Sequence, residues 1–248
     1  MNNIYIYDGS FISLMSLIVV LMNLKKEPVN IINEKNYIPN LLDEVVNLKI
    51  NNKKEKIKYL LSKTSKKIII TCYYSYLSTN NNKEMLIYDF IKNALVYKDT
   101  IFYRRNINSV NEILKMRKRV SRESHSLKGF LRFKKMKNDF YYAKINPTNN
   151  VIYLITNHFK ERLKNEYFVI NDVNRSIYAF YDKNKVTYAN KEDIIKLNLN
   201  IDKEEENIED LWISFFKTIS IKERSNLKCQ MNHMPKKYWD YIIEMEVE

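Results

Sequence analysis

Glycine occupies only two of the 248 positions in the chain, Gly9 and Gly129. Loops that cradle phosphate groups with successive backbone N–H groups need several closely spaced glycines, because side chains would keep the backbone away from the ligand. The sequence is therefore incompatible with a P-loop or a dinucleotide-binding loop. Gly9 is predicted to lie in a turn ahead of a helix. Gly129 is predicted to lie just beyond the last turn of another helix, in the left-handed conformation.

The first hundred residues show a pattern of short strands and longer helices. Strands are predicted at Asn3–Tyr7 and Val45–Ile50, and helices at Phe11–Leu24, Lys53–Lys63, Lys66–Leu77 and Lys83–Tyr97. The segment Lys66–Leu77 is also compatible with a strand, since it is rich in β-branched and aromatic residues. The apolar run Phe11–Leu24 is too short to span a membrane, so we expect a buried helix and no membrane association.

The rest of the chain shows a second pattern, in which strands follow one another more closely. A long helix is predicted from about Ser109, because Ser109 and Glu112 have the spacing of a capping box. A β-hairpin is predicted at Phe130–Met136 and Phe140–Ile145, a helix at Val151–Leu163, strands at Tyr167–Asp172, Ser176–Tyr181 and Val186–Tyr188, and a helix after the acidic run Asp202–Asp210. The predicted fold is α+β. A small N-terminal α/β region spans residues 1–104, and an antiparallel sheet packed with helices spans residues 105–248.

The chain is strongly basic, with a formal net charge of +13 and a pI of about 9.4. Such a charge predicts attraction to polyanions. An alternative explanation is an AT-rich genome, which enriches lysine, asparagine, isoleucine and tyrosine without any functional demand. The location of the charge is more informative than its total, because nine basic residues and a single acid, Glu123, lie between Arg117 and Lys137.

Two basic segments supply candidate ligands for nucleic acid. Arginine binds phosphates and base edges through a planar, bidentate fork, so the arginines carry more weight than the lysines. On the predicted strand after Gly129, Phe130 and Arg132 share one face, which suits a stacked base beside a phosphate. The predicted ligands from the two segments are Arg119, Arg122, Lys128, Phe130, Arg132, Lys222, Arg224 and Lys236. The alternative, in which these charges are merely solvated, stays open.

Three side chains are candidates for acid–base chemistry: His125, Glu123 and His158. A plain hydrogen-bonding role is the alternative for each histidine. The two cysteines, Cys72 and Cys229, are too few and too far apart to hold an iron–sulfur cluster or a Cys₄ zinc site by themselves. We therefore expect no metal and no cofactor, and a reducing cytoplasm as the setting.

Four longer segments carry a resemblance to a known family. They are "RVSRESHSLKGFLRF" (119–133), "NHFKER" (157–162), "LWISFFKTISIKERSN" (211–226) and "MPKKYWDYI" (234–242), and the opening "YDGSF" (7–11) also fits. Together they resemble a bacterial family of DNA metabolism or repair proteins. Members of that family are paired with a radical-SAM iron–sulfur protein that has a helix-hairpin-helix motif. In other bacteria the same domain is fused to a uracil-DNA glycosylase-like domain.

This resemblance implies a function that agrees with the charge pattern. The family pattern adds Arg162 and Lys217 to the predicted nucleic-acid ligands. The leading hypothesis is an accessory protein for DNA repair or modification, which binds DNA and leaves the radical step to the radical-SAM partner. One alternative is an enzyme that acts on DNA or a nucleotide through His125, Glu123 and His158. Another is a scaffold whose basic surface docks a partner protein.

Overall fold

The computed structural model describes residues 2–40, 43–48, 50–136, 140–190 and 226–242. The chain divides into two compact units, Met1–Ser121 (unit 1) and Arg122–Glu248 (unit 2). The division falls inside helix α5 (Asn108–Phe130). The domain boundary after residue 104 stays a prediction. Within the described ranges, no helix combines the length and the hydrophobicity that crossing a bilayer requires.

Unit 1 contains a small parallel sheet with β1 (Asn2–Tyr7) at its centre. Strand β2 (Asn30–Asn33) pairs with one edge of β1, and β3 (Asp43–Val46) pairs with the other. All three strands run in the same direction, so their carboxyl ends lie at one edge of the sheet. The predicted first strand is confirmed, whereas the strand predicted over Val45–Ile50 lies earlier and ends at Val46.

Four helices pack in unit 1 with this sheet: α1 (Phe11–Asn23), α2 (Lys53–Lys63), α3 (Lys66–Tyr76) and α4 (Lys83–Tyr97), followed by a 3₁₀ helix (Lys98–Tyr103). The predicted helices are confirmed to within a residue or so at their ends. The ambiguous segment forms α3, because Ser65 caps its first turn and Ile68, Cys72 and Ser75 are buried at helical spacing. In α3, burial at helical spacing therefore outweighs the strand propensity of the residues.

Gly9 connects β1 to α1 in a conformation that favours glycine. Its φ angle is +81°, and a Cβ built on it would lie 2.7 Å from Nδ2 of Asn33. We therefore expect Gly9→Ala to lower the free energy of unfolding by about 1–3 kcal/mol, since alanine must adopt a strained backbone and displace a neighbour. Urea unfolding followed by circular dichroism measures this change.

Gly129 provides a matched control, because the structure places it in a helix. The predicted left-handed position beyond the helix end is wrong: α5 continues through Phe130, and no atom lies within 4 Å of a Cβ built on Gly129. Leu127 and Leu131 are both buried, and the N–H group of Leu131 donates to the Leu127 carbonyl, so burial extends the helical turn past the glycine. Gly129→Ala should raise stability by roughly 0.5–1 kcal/mol. Equal changes in stability for Gly9→Ala and Gly129→Ala would contradict the backbone conformations assigned to the two glycines.

Unit 2 contains a five-stranded sheet in the order β4 (Lys134–Met136), β5 (Phe140–Ile145), β6 (Phe168–Asp172), β7 (Ile177–Tyr181) and β8 (Val186–Asn190). Strands β5 and β6 are parallel, and the other neighbours are antiparallel. The α+β class is confirmed, but the sheet is mixed rather than antiparallel. Helix α6 (Ile152–Arg162) connects β5 to β6, and such a crossover is what a parallel pair requires.

The hairpin after α5 is shorter than predicted. Only Lys134–Met136 pairs with β5, while Phe130 belongs to α5 and residues 131–133 form no strand. Phe133 instead packs its ring against Phe159 and Phe168, with centroids 5.0 and 5.6 Å away. The prediction that Phe130 and Arg132 share a strand face is therefore wrong.

Two short elements complete the described part of unit 2. They are α7 (Leu227–His233) and a 3₁₀ helix (Lys236–Tyr241), of which Pro235 is the N-cap residue. The acidic run at 202–210 and the helix predicted after it lie outside the described residues.

Candidate nucleic-acid interface

Three of the predicted site residues come together in unit 2 as a basic cluster, defined here as Lys128, His158 and Arg162. His158 and Arg162 lie four residues apart in α6 and so share one side of that helix. Partial burial, and then the positive charges of Lys128 and Arg162, hold the pKa of His158 below its ordinary value. The positive charges of Lys128 and Arg162 therefore both act on His158.

The packing of α6 explains why the cluster faces outward. Ile152, Ile155 and Phe159 are buried on one side of the helix, whereas His158 and Arg162 are exposed. The His158 ring stands edge-on to the Phe159 ring, with 5.1 Å between the centroids. The buried side fixes the helix and leaves the cationic side open to solvent.

Removing a positive charge next to His158 tests this geometry directly. Lys128→Gln removes a positive charge that disfavours protonation, so the pKa of His158 should rise. Two-dimensional NMR of the histidine ring over a pH series measures the change. Lys144→Gln, which removes an exposed lysine from β5, is the matched control and should leave that pKa nearly unchanged. Equal shifts in the two variants would contradict a local cluster.

A second group of predicted residues has partners within unit 2. The Phe130 ring contacts the Tyr238 ring at 5.4 Å, so part of the expected stacking surface is covered. Arg132 donates from Nη1 to the Gly129 carbonyl at 3.0 Å, which pairs one of the terminal carbonyl groups of α5. Lys236 lies over the Trp239 ring at 5.5 Å and remains exposed. These contacts give Phe130 and Arg132 a structural role in addition to any role in binding.

Glu123 is the centre of a buried polar network. Only 6% of the residue is exposed. Its carboxylate accepts hydrogen bonds from the backbone N–H groups of Thr148 and Asn149, each at 2.8 Å, and from the Asn149 side chain at 2.7 Å. Lys237 adds an ion pair at 2.7 Å. The carboxylate therefore joins α5, the loop after β5 and the last 3₁₀ helix of unit 2.

This network bears on the predicted acid–base role of Glu123. Burial opposes ionisation, but the hydrogen bonds from Lys237, Asn149 and Thr148 outweigh it and hold the pKa of Glu123 below its ordinary value. An effective general acid or base needs a pKa near the working pH, so these contacts suit a permanently ionised structural group better. His125 is exposed on α5, and the acid–base roles of His125 and His158 stay predictions.

A second buried acid stabilises the same loop. Asp172 is fully buried, and burial raises its pKa against the opposing charge of Arg175. Arg175 donates to Asp172 from Nη1 at 3.2 Å and also to the Pro147 carbonyl at 3.0 Å. Arg175 and Glu123 thus bind adjacent parts of the loop. Glu123 and Arg175 lie 25 to 28 residues from the loop residues that they bind, so no short sequence motif indicates these contacts.

The described part of unit 2 has more basic than acidic side chains. Its described residues include fifteen lysines and arginines but only six acids. Two of those acids, Glu123 and Asp172, are buried and already paired with Lys237 and Arg175. Most of the remaining described cations lie at least partly exposed, so they are available to an external anion.

The other predicted residues are distributed as follows. Arg119, in unit 1, and Arg122, in unit 2, are exposed on α5. Lys217, Lys222 and Arg224 lie outside the described residues. In the part of the chain that the structure describes, no group of three or more His, Cys, Asp or Glu side chains is arranged to bind a metal ion.

Comparisons with known proteins give one match for this region. Residues 81–244 match a protein-family model described as a domain of unknown function, DUF4130. The matched range includes the basic cluster and the Glu123 network. No curated protein matches the chain.

Proposed function

The chain belongs to the DUF4130 family, and we propose that it is a DNA-binding protein. The observation that carries this proposal is the basic cluster. Among the described residues, no carboxylate pairs with Lys128, His158 or Arg162, and no acid is a main influence on His158. Two cations beside a histidine, with no described carboxylate paired to them, suit an external anion.

The chemistry of the cluster favours a phosphodiester. Arg162 can bind two phosphate oxygens at once, while Lys128 supplies a point charge. A bound phosphate would also favour the protonated form of His158, which would add a third donor. The exposed lysines and arginines of the described part of unit 2 offer a DNA backbone further contacts, and the net charge of +13 of the chain makes its approach faster.

We further propose that the protein acts with a radical-SAM partner in DNA repair or modification. The sequence resemblance supports this pairing. A radical-SAM cluster needs three closely spaced cysteines, and this chain has two, of which Cys72 is buried in unit 1 and Cys229 is exposed in unit 2. The radical step therefore belongs to the partner, and DNA binding belongs to this chain.

Fluorescence anisotropy with labelled single-stranded and double-stranded DNA over a salt series tests the binding proposal. If about five phosphates are contacted, log affinity should fall against log salt with a slope of roughly −3.5 for single strands and −4.5 for duplexes. Affinity that does not change with salt, or no binding at low salt, would refute DNA binding. The basic surface would then be assigned to docking a partner protein.

A further inference from the structure

Unit 1 has a crevice at the carboxyl edge of its parallel sheet. From β1 the chain continues through α1 to β2 on one side, and it then returns to β3 on the other side of β1. The strand order reverses at β1, and in open α/β sheets ligands bind outside the carboxyl ends of the strands at such a point. The crevice has a volume of about 330 Å³, near the lower end of the usual range of about 300–1,000 Å³ for small-molecule sites.

An ion pair between Asp8 and Lys53 lies in this crevice, with 2.6 Å between Oδ2 and Nζ. Asp8 Oδ1 also accepts from the N–H group and the hydroxyl of Ser10, at 2.9 and 2.6 Å. Burial opposes ionisation of Asp8, but the bonds from Lys53 and Ser10 outweigh it and lower its pKa to about 2. Asp8 is therefore a carboxylate at every physiological pH.

The ion pair retains hydrogen-bonding capacity for a ligand. A carboxylate offers about four lone-pair positions and an ammonium group three donors, so the protein contacts above leave at least one acceptor and one donor. Both side chains are partly exposed, at 47% for Asp8 and 36% for Lys53. A ligand hydroxyl can donate to Asp8 and accept from Lys53. A ligand with two adjacent hydroxyls can therefore bind both side chains at once.

The loop between β3 and α2 supplies the other side of the crevice. Asn47 and Asn51 have exposed side chains there, and Leu48 adds an apolar surface. A carboxamide both donates and accepts, which matches the mixed edge of a nucleobase. Glu34 contributes a second carboxylate, so the lining has two negative charges and one positive charge. That balance disfavours an anionic ligand.

We propose that this crevice binds a neutral ribonucleoside. The ribose diol contacts the Asp8–Lys53 pair, and the base edge contacts Asn47 and Asn51. The proposal does not depend on DNA binding, because all of its residues lie in unit 1. It assigns a small-molecule site to the segment around Gly9, whose left-handed turn connects the end of β1 to α1 and places Asp8 and Ser10 beside the carboxyl edge of the sheet.

The test uses the full chain and four commercial probes: adenosine, uridine, 2′-deoxyadenosine and adenosine 5′-monophosphate. Ligand-observed saturation-transfer NMR and protein-observed titration give the affinities. At least one ribonucleoside should bind. Loss of one hydroxyl in 2′-deoxyadenosine should weaken binding roughly three- to tenfold, and the 5′-phosphate should also weaken it.

Two variants locate the site. Asn51→Ala should weaken nucleoside binding by roughly three- to tenfold, since it removes a pair of base contacts. Asn81→Ala, which alters an exposed asparagine of the same unit outside the crevice, should leave binding unchanged. Asp8→Asn should remove the preference for ribose over deoxyribose, and circular dichroism confirms that each variant is folded. Equal affinity for ribose and deoxyribose forms, tighter binding of the monophosphate, or no nucleoside binding at 10 mM (roughly the weakest affinity worth assigning) would overturn the proposal.

Discussion

Lys128→Gln/Arg162→Gln is expected to weaken DNA binding by roughly tenfold or more at about 0.1 M salt and to reduce the salt slope by about two units. The two side chains are the cations that act on His158, so the double variant removes most of the charge in the basic cluster. Neither side chain has an ion-pair partner among the described residues, so stability should change little. Anisotropy over a salt series, with wild type and variant measured on the same labelled DNA, gives both quantities.

Lys144→Gln/Lys185→Gln is the matched control for this double variant. Both lysines are exposed in unit 2, at the sheet and in the turn between β7 and β8, and their replacement changes the net charge by the same amount. The control should lose much less affinity than the cluster variant. Equal losses would mean that DNA responds only to the total charge, and the basic cluster would no longer be its site.

Glu123→Gln should lower the free energy of unfolding of unit 2 by about 2–4 kcal/mol. A glutamine has nearly the same shape, but its amide nitrogen replaces one carboxylate oxygen. Its two N–H donors therefore face either the Thr148 N–H group and the Lys237 ammonium or the backbone and side-chain N–H groups of Asn149, which are themselves donors. Lys237→Met is the matched comparison. Its side chain is 44% exposed, so much of the ion pair is already weakened by solvent, and we expect a loss of only about 1 kcal/mol.

Urea unfolding of the two variants beside wild type measures both losses. A smaller loss in Glu123→Gln than in Lys237→Met would contradict the network, because it would place the stabilisation in the ion pair instead of the backbone donors. DNA binding should persist in the folded fraction of each variant, since neither residue belongs to the basic cluster.

The same carboxylate predicts a pH dependence of stability. The pKa of Glu123 is lower in the folded protein than in the unfolded chain, where it is about 4.3. Its contribution is therefore fully present above the unfolded pKa and is lost as the pH falls through the folded pKa. In Glu123→Gln, the decline of stability between neutral pH and pH 3 should be shallower than in wild type. Parallel declines would assign the acid sensitivity to other carboxylates.

The sequence predicts helices well in this chain because local patterns determine them. The ends of α2 agree with the prediction, and α1, α3, α4 and α6 agree closely. The parallel pairing of β5 and β6 was missed, although the order strand, helix, strand is itself a signal for a parallel pair. The order of elements in the sequence therefore contains a signal for the mixed sheet.

The segment from Phe130 to Phe133 shows where local patterns fail. The two phenylalanines of this segment favour a strand, yet Phe130 stays helical and contacts Tyr238, more than a hundred residues later. Local patterns also fail to predict the position of the basic cluster. Lys128, His158 and Arg162 were each predicted from the sequence, but their convergence depends on how α6 packs, which no local pattern specifies.

The wide spacing of the Glu123 partners has a kinetic consequence. Lys237 follows Glu123 by 114 residues, so a ribosome must synthesise nearly the whole of unit 2 before the carboxylate can meet its ammonium partner. Contacts of such large sequence separation slow folding, because the entropy of the intervening loop is lost before the contact contributes any stabilising energy. The Thr148 and Asn149 donors are synthesised much earlier, so the Lys237 ammonium is the last partner to reach Glu123. The complete network around Glu123 should consequently close late in the folding of unit 2.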